Sequence, residues 1–92
     1  MKLEQIQKII DEASCDFNDY FSKKGLPKAS LNDTCLLIEF ELKQKYSRSV
    51  DLHKFESILW NFKNTLQNAF NKNSIDVSFW SCSATEMEWT IN

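Results

Sequence analysis

Glycine, proline and histidine are almost absent from this sequence, which contains one residue of each. A single glycine excludes the glycine-rich loops that hold phosphates and dinucleotides, because those loops need several residues without a side chain. A single histidine cannot form the histidine cluster of a metal site. The three cysteines are odd in number and far apart, so their spacing predicts neither a disulfide framework nor a zinc site. We therefore expect no metal and no cofactor.

A nucleophilic active site would have to be built from His53 and one of the three cysteines, Cys15, Cys35 and Cys82. A nucleophile needs an adjacent base and a third group that orients the base, and nothing in the spacing indicates such a set. We therefore predict that the protein is not an enzyme. Free thiols are typical of a reducing compartment. The sequence contains no recognisable signal peptide or membrane-spanning run, so the expected location is the cytoplasm.

The net charge of −2 is unevenly distributed along the chain. Residues 74–92 carry Asp76, Glu86 and Glu88 but no lysine or arginine. Such a segment attracts a basic partner and repels phosphate. The basic stripe that is typical of nucleic-acid-binding proteins is missing. We therefore expect a protein partner of basic character, and neither nucleic acid nor membrane.

The first amphipathic helix is predicted over residues 2–24, where apolar side chains recur at intervals of three and four. Gly25 follows this stretch, and glycine readily adopts the left-handed conformation that ends many helices. Pro27 cannot continue a helix because it lacks a backbone N–H. The pair predicts that the helix ends at residue 24.

The second amphipathic helix is predicted over residues 50–71, with Ser49 or Asp51 as its N-cap. Trp60 lies about 140° from the centre of the apolar stripe at 100° per residue. Packing against residues 25–33, contact with a partner and contact with a second copy would each explain a tryptophan there. The predicted second interface is made of three residues close together in projection, namely His53, Trp60 and Asn64.

Alternating apolar and polar residues predict one β-strand over residues 34–42 and a β-hairpin over residues 75–91. The hairpin lacks a glycine-containing turn, and the alternation favours a loop of three or five residues around residues 82–85. A further short strand over residues 28–33 is an option, closed by a turn at residues 32–33.

These elements predict one α+β domain over residues 1–92, with the order α-β-α-β-β. Two amphipathic helices would cover one face of a small mixed or antiparallel sheet in a two-layer sandwich. The sheet has three strands, or four if residues 28–33 form one. A right-handed crossover through the second helix would make the strands on either side of it parallel, with the last strand between them and antiparallel to both.

The outer face of this sheet is the candidate binding surface. The alternation predicts that seven residues face outward, namely Glu39, Glu41, Asp76, Ser78, Trp80, Glu86 and Glu88. A one-sided sheet has to expose polar residues in any case, whereas a tryptophan among carboxylates is typical of a protein-binding surface. A bulge in the strand would instead place Trp80 on the core side.

The composition and the predicted surface favour a small acidic domain that binds a protein without catalysing a reaction. An inhibitor or immunity-type protein that covers a basic site on a partner, such as a nuclease, fits this description. An acidic surface complements a site built to bind phosphate and accelerates the encounter. The alternative is a homodimeric structural or adaptor protein that associates through Trp60 or through a sheet edge. The two hypotheses differ in the mass expected in solution.

Overall fold

The computed structural model describes residues 2–47 and 52–92, which form helices and one four-stranded antiparallel sheet. The elements are, in order, α1 (Leu3–Ala13), a 3₁₀ helix (Cys15–Tyr20), β1 (Lys28–Asn32), β2 (Cys35–Glu39), α2 (Gln44–Ser47), α3 (Leu52–Lys72), β3 (Val77–Cys82) and β4 (Glu86–Ile91). The predicted α+β class is confirmed. The predicted N-cap of the second helix, Ser49 or Asp51, lies outside the described residues.

The strands lie side by side in the order β1-β2-β4-β3, and each neighbouring pair is antiparallel. Since β4 lies between β2 and β3, those two strands are parallel to each other, as the predicted crossover through α3 requires. β1 is the optional fourth strand, joined to β2 by a turn in which Asp33 has a φ of 53°. Its presence changes the predicted order α-β-α-β-β to α-β-β-α-β-β.

The first helix is shorter than predicted. At Ser14, α1 gives way to the 3₁₀ helix, although the apolar spacing predicted a helix that continues to residue 24. The Ser14 hydroxyl donates to the Ile10 carbonyl, and residues 14–19 include two aspartates and an asparagine. Short polar side chains of this kind compete for helical backbone hydrogen bonds. The apolar side chains of the 3₁₀ helix nevertheless point inward. Phe17, for example, packs against Phe62 of α3.

Gly25 has a different role from the predicted helix end. Its φ is not positive, and its carbonyl accepts a hydrogen bond of 2.8 Å from the Glu41 N–H, where the chain continues beyond β2. A Cβ atom on Gly25 would overlap the Cβ of Glu41 and would lie 2.7 Å from the Ser22 hydroxyl oxygen. The close approach of two backbone segments therefore requires glycine at this position.

The core lies between the helices and the inner face of the sheet. Phe62 of α3, only 1 % exposed, is at its centre, with ring centroids of Phe17, Phe21 and Phe40 at 5.3, 5.2 and 5.9 Å. The other largest fully buried side chains are Ile6, Ile10, Leu36, Ile38, Leu66, Phe70, Met87 and Trp89. Because the inner face of the sheet is occupied in this way, the opposite face remains available as a surface.

Candidate functional site

The outer face of the sheet carries most of the predicted binding residues. Both long helices contribute side chains to the core on the inner face, whereas the outer-face side chains of all four strands are exposed or half-buried. Outer-face neighbours can therefore be read directly from the strand register.

Carboxylates lie next to one another on β2 and β4. Glu39 is the direct cross-strand partner of Glu86, and Glu88 follows Glu86 by two residues on the same face. The pairing of the two strands continues past Glu39, because the Phe40 N–H donates to the Thr85 carbonyl. Glu41, two residues after Glu39, is therefore on the outer face as well. We call Glu39, Glu41, Glu86 and Glu88 the acidic patch, and it is about 14 Å long at about 3.4 Å per residue.

Trp80 is the extra residue of a β-bulge in β3. Phe79 pairs with Trp89 and Ser81 pairs with Glu88, so β3 advances by two residues where β4 advances by one. The Trp80 side chain is 72 % exposed and is not part of the core. The alternative that a bulge turns Trp80 into the core is therefore wrong, and Trp80 directly precedes Ser81, the cross-strand partner of Glu88 at one end of the acidic patch.

Asp76 and Ser78 lie toward the open end of the hairpin, beyond the Glu88 end of the acidic patch. The Asn92 side-chain amide donates to the Asp76 carboxylate at 3.0 Å and to the Ser78 hydroxyl at 2.9 Å, and the Asn92 N–H donates to the Asp76 carbonyl. Along β4, Asn92 opposite Asp76 is four residues or about 14 Å from Glu88, and Thr90 opposite Ser78 is two residues or about 7 Å from Glu88. The Asn92 contacts close the open end of the hairpin, so Asp76 lies apart from the four glutamates, whereas Ser78 adjoins the Glu88 end of the acidic patch.

The second predicted interface consists of three exposed residues on α3, namely His53, Trp60 and Asn64. The Trp60 ring packs edge-on against the Phe79 ring at 6.2 Å, and the Lys63 ammonium lies 4.8 Å from the centroid of each ring. The aromatic contact of Trp60 is thus with β3 and not with residues 25–33. More than half of its surface, 56 %, remains exposed.

A groove of about 390 Å³ lies between α3 and the β3–β4 turn, lined by Phe55, Leu59, Trp60 and Cys82 among others. Strand alternation places Cys82 on the outer face, but the bulge shifts the register and pairs it with the core residue Met87. No residue pattern in the sequence predicts where the bulge lies. The groove was therefore not predicted. Cys82 is an exposed residue, but partial burial of its thiol raises the pKa and so favours the protonated, weakly nucleophilic form.

The described residues hold no cluster of metal ligands, no disulfide and no membrane-spanning helix. Across residues 2–47 and 52–92, no group of three or more histidine, cysteine, aspartate or glutamate side chains is placed to hold a metal ion. All three cysteines are free thiols. Among the helices described, none has both the length and the apolar character needed to cross a membrane.

The chain matches no known family model, and neither the curated proteins nor the solved structures compared with it gave a match. Its function therefore has to be inferred from its own surfaces.

Proposed function

We propose that the protein is a non-catalytic binding domain whose acidic patch covers a basic site on a partner protein. The observation that carries this proposal is the direct opposition of Glu39 and Glu86, with Glu41 and Glu88 adjoining them. Like charges that face each other across two strands destabilise a sheet. A basic partner relieves this repulsion, so the arrangement supports binding more than it supports folding.

Trp80 adds an apolar contact area, which the carboxylates of the acidic patch do not offer. Charges at a surface accelerate the encounter and select the partner but contribute less to its retention. An exposed indole offers a large apolar area, and tryptophan is among the residues enriched at the energetic centres of interfaces. Trp80 directly precedes Ser81, the cross-strand partner of Glu88, and is 72 % exposed, so the same region of the sheet offers an anchor and steering charges.

An inhibitor or immunity-type role is the most concrete form of this proposal. Nucleases and other enzymes that act on phosphates bind their substrates through basic sites, and an acidic protein surface competes for such a site. A chain of 92 residues is large enough to cover one. A standard interface buries about 800 Å² on each partner, a small part of the 6157 Å² of accessible surface of this chain.

The test compares two double charge reversals that change the net charge equally. Glu41→Lys with Glu88→Lys alters the acidic patch, whereas Glu12→Lys with Asp16→Lys alters exposed residues of α1 and the 3₁₀ helix. Both variants and the wild type serve as bait for partners from the source cell, and each retained protein is then titrated calorimetrically. We expect a partner that binds the wild type and the control but binds the patch variant at least about tenfold more weakly. A partner that binds the patch variant with full affinity refutes the proposal.

Self-association is the second candidate function, favoured by the 56 % exposure of Trp60 on α3. Light scattering after size exclusion distinguishes it, because a dimer doubles the mass. In that case Trp60→Glu restores the monomer and leaves the circular dichroism spectrum unchanged. A wild-type monomer at high concentration excludes this candidate.

A further inference from the structure

The two edges of the sheet differ in their protection. At the β1 edge, the Gln7 side chain of α1 accepts a hydrogen bond from the Ala29 N–H at 2.7 Å and donates to the Pro27 carbonyl at 3.1 Å. Lys28 adds a charge, and Pro27 has no N–H to offer. Charge, proline and coverage by a helix are the usual ways in which proteins protect an edge strand, and β1 has all three.

At the β3 edge, the direction of the backbone groups follows from the hairpin pairing. Because the Asn92 N–H donates to the Asp76 carbonyl, Asp76 and Ser78 turn their backbone groups toward β4, and Val77 and Phe79 turn theirs outward. The Gln67 side-chain amide donates to the Val77 carbonyl at 3.3 Å. This carbonyl therefore points away from β4, as the pairing requires. Among the described residues, β3 pairs with β4 alone, so the edge is open at Phe79.

The strand residues of this edge include neither a charged side chain nor proline; its protection is limited to the bulge at Trp80 and to the Lys63 ammonium beside the Phe79 ring. Residues 77–82 read Val-Ser-Phe-Trp-Ser-Cys, and such an edge is a ready template for a further strand. Two exposed indoles flank it. Trp60 lies on the helix side, in contact with the Phe79 ring, and Trp80 lies on the outer face. The surface therefore offers main-chain hydrogen bonds between two apolar anchors.

We infer that a basic, extended segment of the partner adds to β3 as a fifth, antiparallel strand. The inference rests on the proposed function for the charge of the partner, and it specifies how that partner docks. Main-chain hydrogen bonds give affinity in this mode of recognition, and alternate side chains give specificity. The segment would carry cationic and apolar residues in alternation.

The cationic side chains belong on the outer face. An added strand would lie about 10 Å from β4, which is two strand spacings. On β3 the residues between them include Ser78 and Ser81, whose small side chains leave Glu88 accessible. A lysine or arginine can extend over these serines toward the Glu88 carboxylate, and its stem can pack on the face of Trp80. The acidic patch thus complements one face of the added strand.

The apolar side chains of the added strand belong on the helix side. There they would meet the exposed part of Trp60 and the groove lined by Phe55, Leu59 and Cys82. A residue that pairs with Phe79 has its side chain on this side and its own N–H directed at β3. The backbone groups that bond to β3 are therefore those of the apolar residues and not those of the cationic residues.

The experiment uses three synthetic peptides of the sequence Lys-Val-Lys-Val-Lys-Val-Lys, capped at both ends. One is unmodified, the second has N-methyl groups on its valines, and the third has them on its internal lysines. Binding is followed by tryptophan fluorescence and by amide hydrogen exchange. We expect valine methylation to weaken binding at least about tenfold, because it removes the N–H groups that pair with β3, and lysine methylation to change it by less than about twofold. The Phe79 amide should become protected, while the Ser78 amide, already paired with β4, should not change.

The outcomes separate this inference from the proposed function. Equal binding of both methylated peptides, or no binding of the unmodified peptide, overturns strand addition. If both methylated peptides bind equally and the double variant Glu41→Lys, Glu88→Lys binds none of the peptides, the acidic patch remains a binding surface without strand addition. If methylation selectivity is seen but the charge reversal has no effect, strand addition stands and the acidic patch proposal fails. A Phe79 amide already protected in a dimer without peptide also overturns the inference.

Discussion

Glu39 and Glu86 face each other across β2 and β4, so the sheet holds two like charges with Cα atoms about 5 Å apart. On the other side of Glu39, its partner on β1 is Lys28. The substitution Glu86→Lys would therefore place the Glu39 carboxylate between two cationic side chains, one on each neighbouring strand. We expect the free energy of unfolding to rise by about 1 kcal/mol, since repulsion is replaced by attraction.

Urea unfolding of Glu86→Lys and of the control Glu12→Lys tests this expectation. Glu12 is exposed on α1, away from the sheet, and its reversal changes the net charge by the same amount. Equal effects of the two substitutions would mean that the net charge, and not the Glu39–Glu86 pair, determines the change.

Phe62 packs against three other phenylalanine rings and is 1 % exposed. Truncation in Phe62→Ala should lower the free energy of unfolding by about 3–5 kcal/mol, because it removes buried area and leaves a cavity. Phe55→Ala is the matched control at a half-buried position, and its cost should be roughly half as large. Denaturant titrations followed by circular dichroism compare the two. Similar losses would show that Phe62 is not the centre of the core.

Gly25 approaches Glu41 so closely that a methyl group has no space. Gly25→Ala should therefore destabilise the fold by about 1–3 kcal/mol, the usual cost of overpacking. Leu26→Ala, at the adjacent residue that is 51 % exposed, should cost much less. The midpoints of thermal unfolding give the comparison. A stable Gly25→Ala variant would show that the two backbone segments can separate without loss.

The raised pKa of the Cys82 thiol, caused by burial, predicts slow alkylation. In a Cys15→Ser, Cys35→Ser background, Cys82 should react with iodoacetamide more slowly in the folded protein than in urea at the same pH, since the thiolate is the nucleophile. The folded state holds the proton more tightly than the unfolded chain. The contribution of this thiol to the stability of the folded protein is therefore fully present below the thiol pKa of the unfolded chain. It is lost as the pH rises through the thiol pKa of the folded state. Equal alkylation rates would contradict a raised thiol pKa in the folded protein.

The acidic patch and Trp80 should affect different steps of partner binding. The association rate should fall as ionic strength rises, because the Debye length shortens to about 8 Å at physiological salt. Trp80→Ala should leave the association rate nearly unchanged and increase the dissociation rate, since it removes a packed anchor. Surface plasmon resonance at several salt concentrations measures both rates. A salt-independent association rate would contradict electrostatic steering.

The spacing of apolar residues by itself determined much of this protein. It predicted which side chains enter the core, because the periods of a helix and a strand are local properties of the backbone. The local periodicity predicts an inward face for Ile6, Leu36, Leu66 and Met87, and all four are fully buried. The outward direction of Glu39 and Glu88 followed from the same alternation.

Tertiary structure decided which of these residues meet. The opposition of Glu39 and Glu86 depends on the register between strands that are nearly fifty residues apart in the chain, and a local pattern carries no information about register. The bulge at Trp80 reversed the facing of Cys82 and created one side of the groove. Gly25 illustrates the same limit, because its requirement comes from Glu41 and not from its own sequence neighbours. The periodicity of apolar residues predicts which face of a helix or strand a side chain occupies. Hydrogen bonding between distant segments determines which residues become its neighbours.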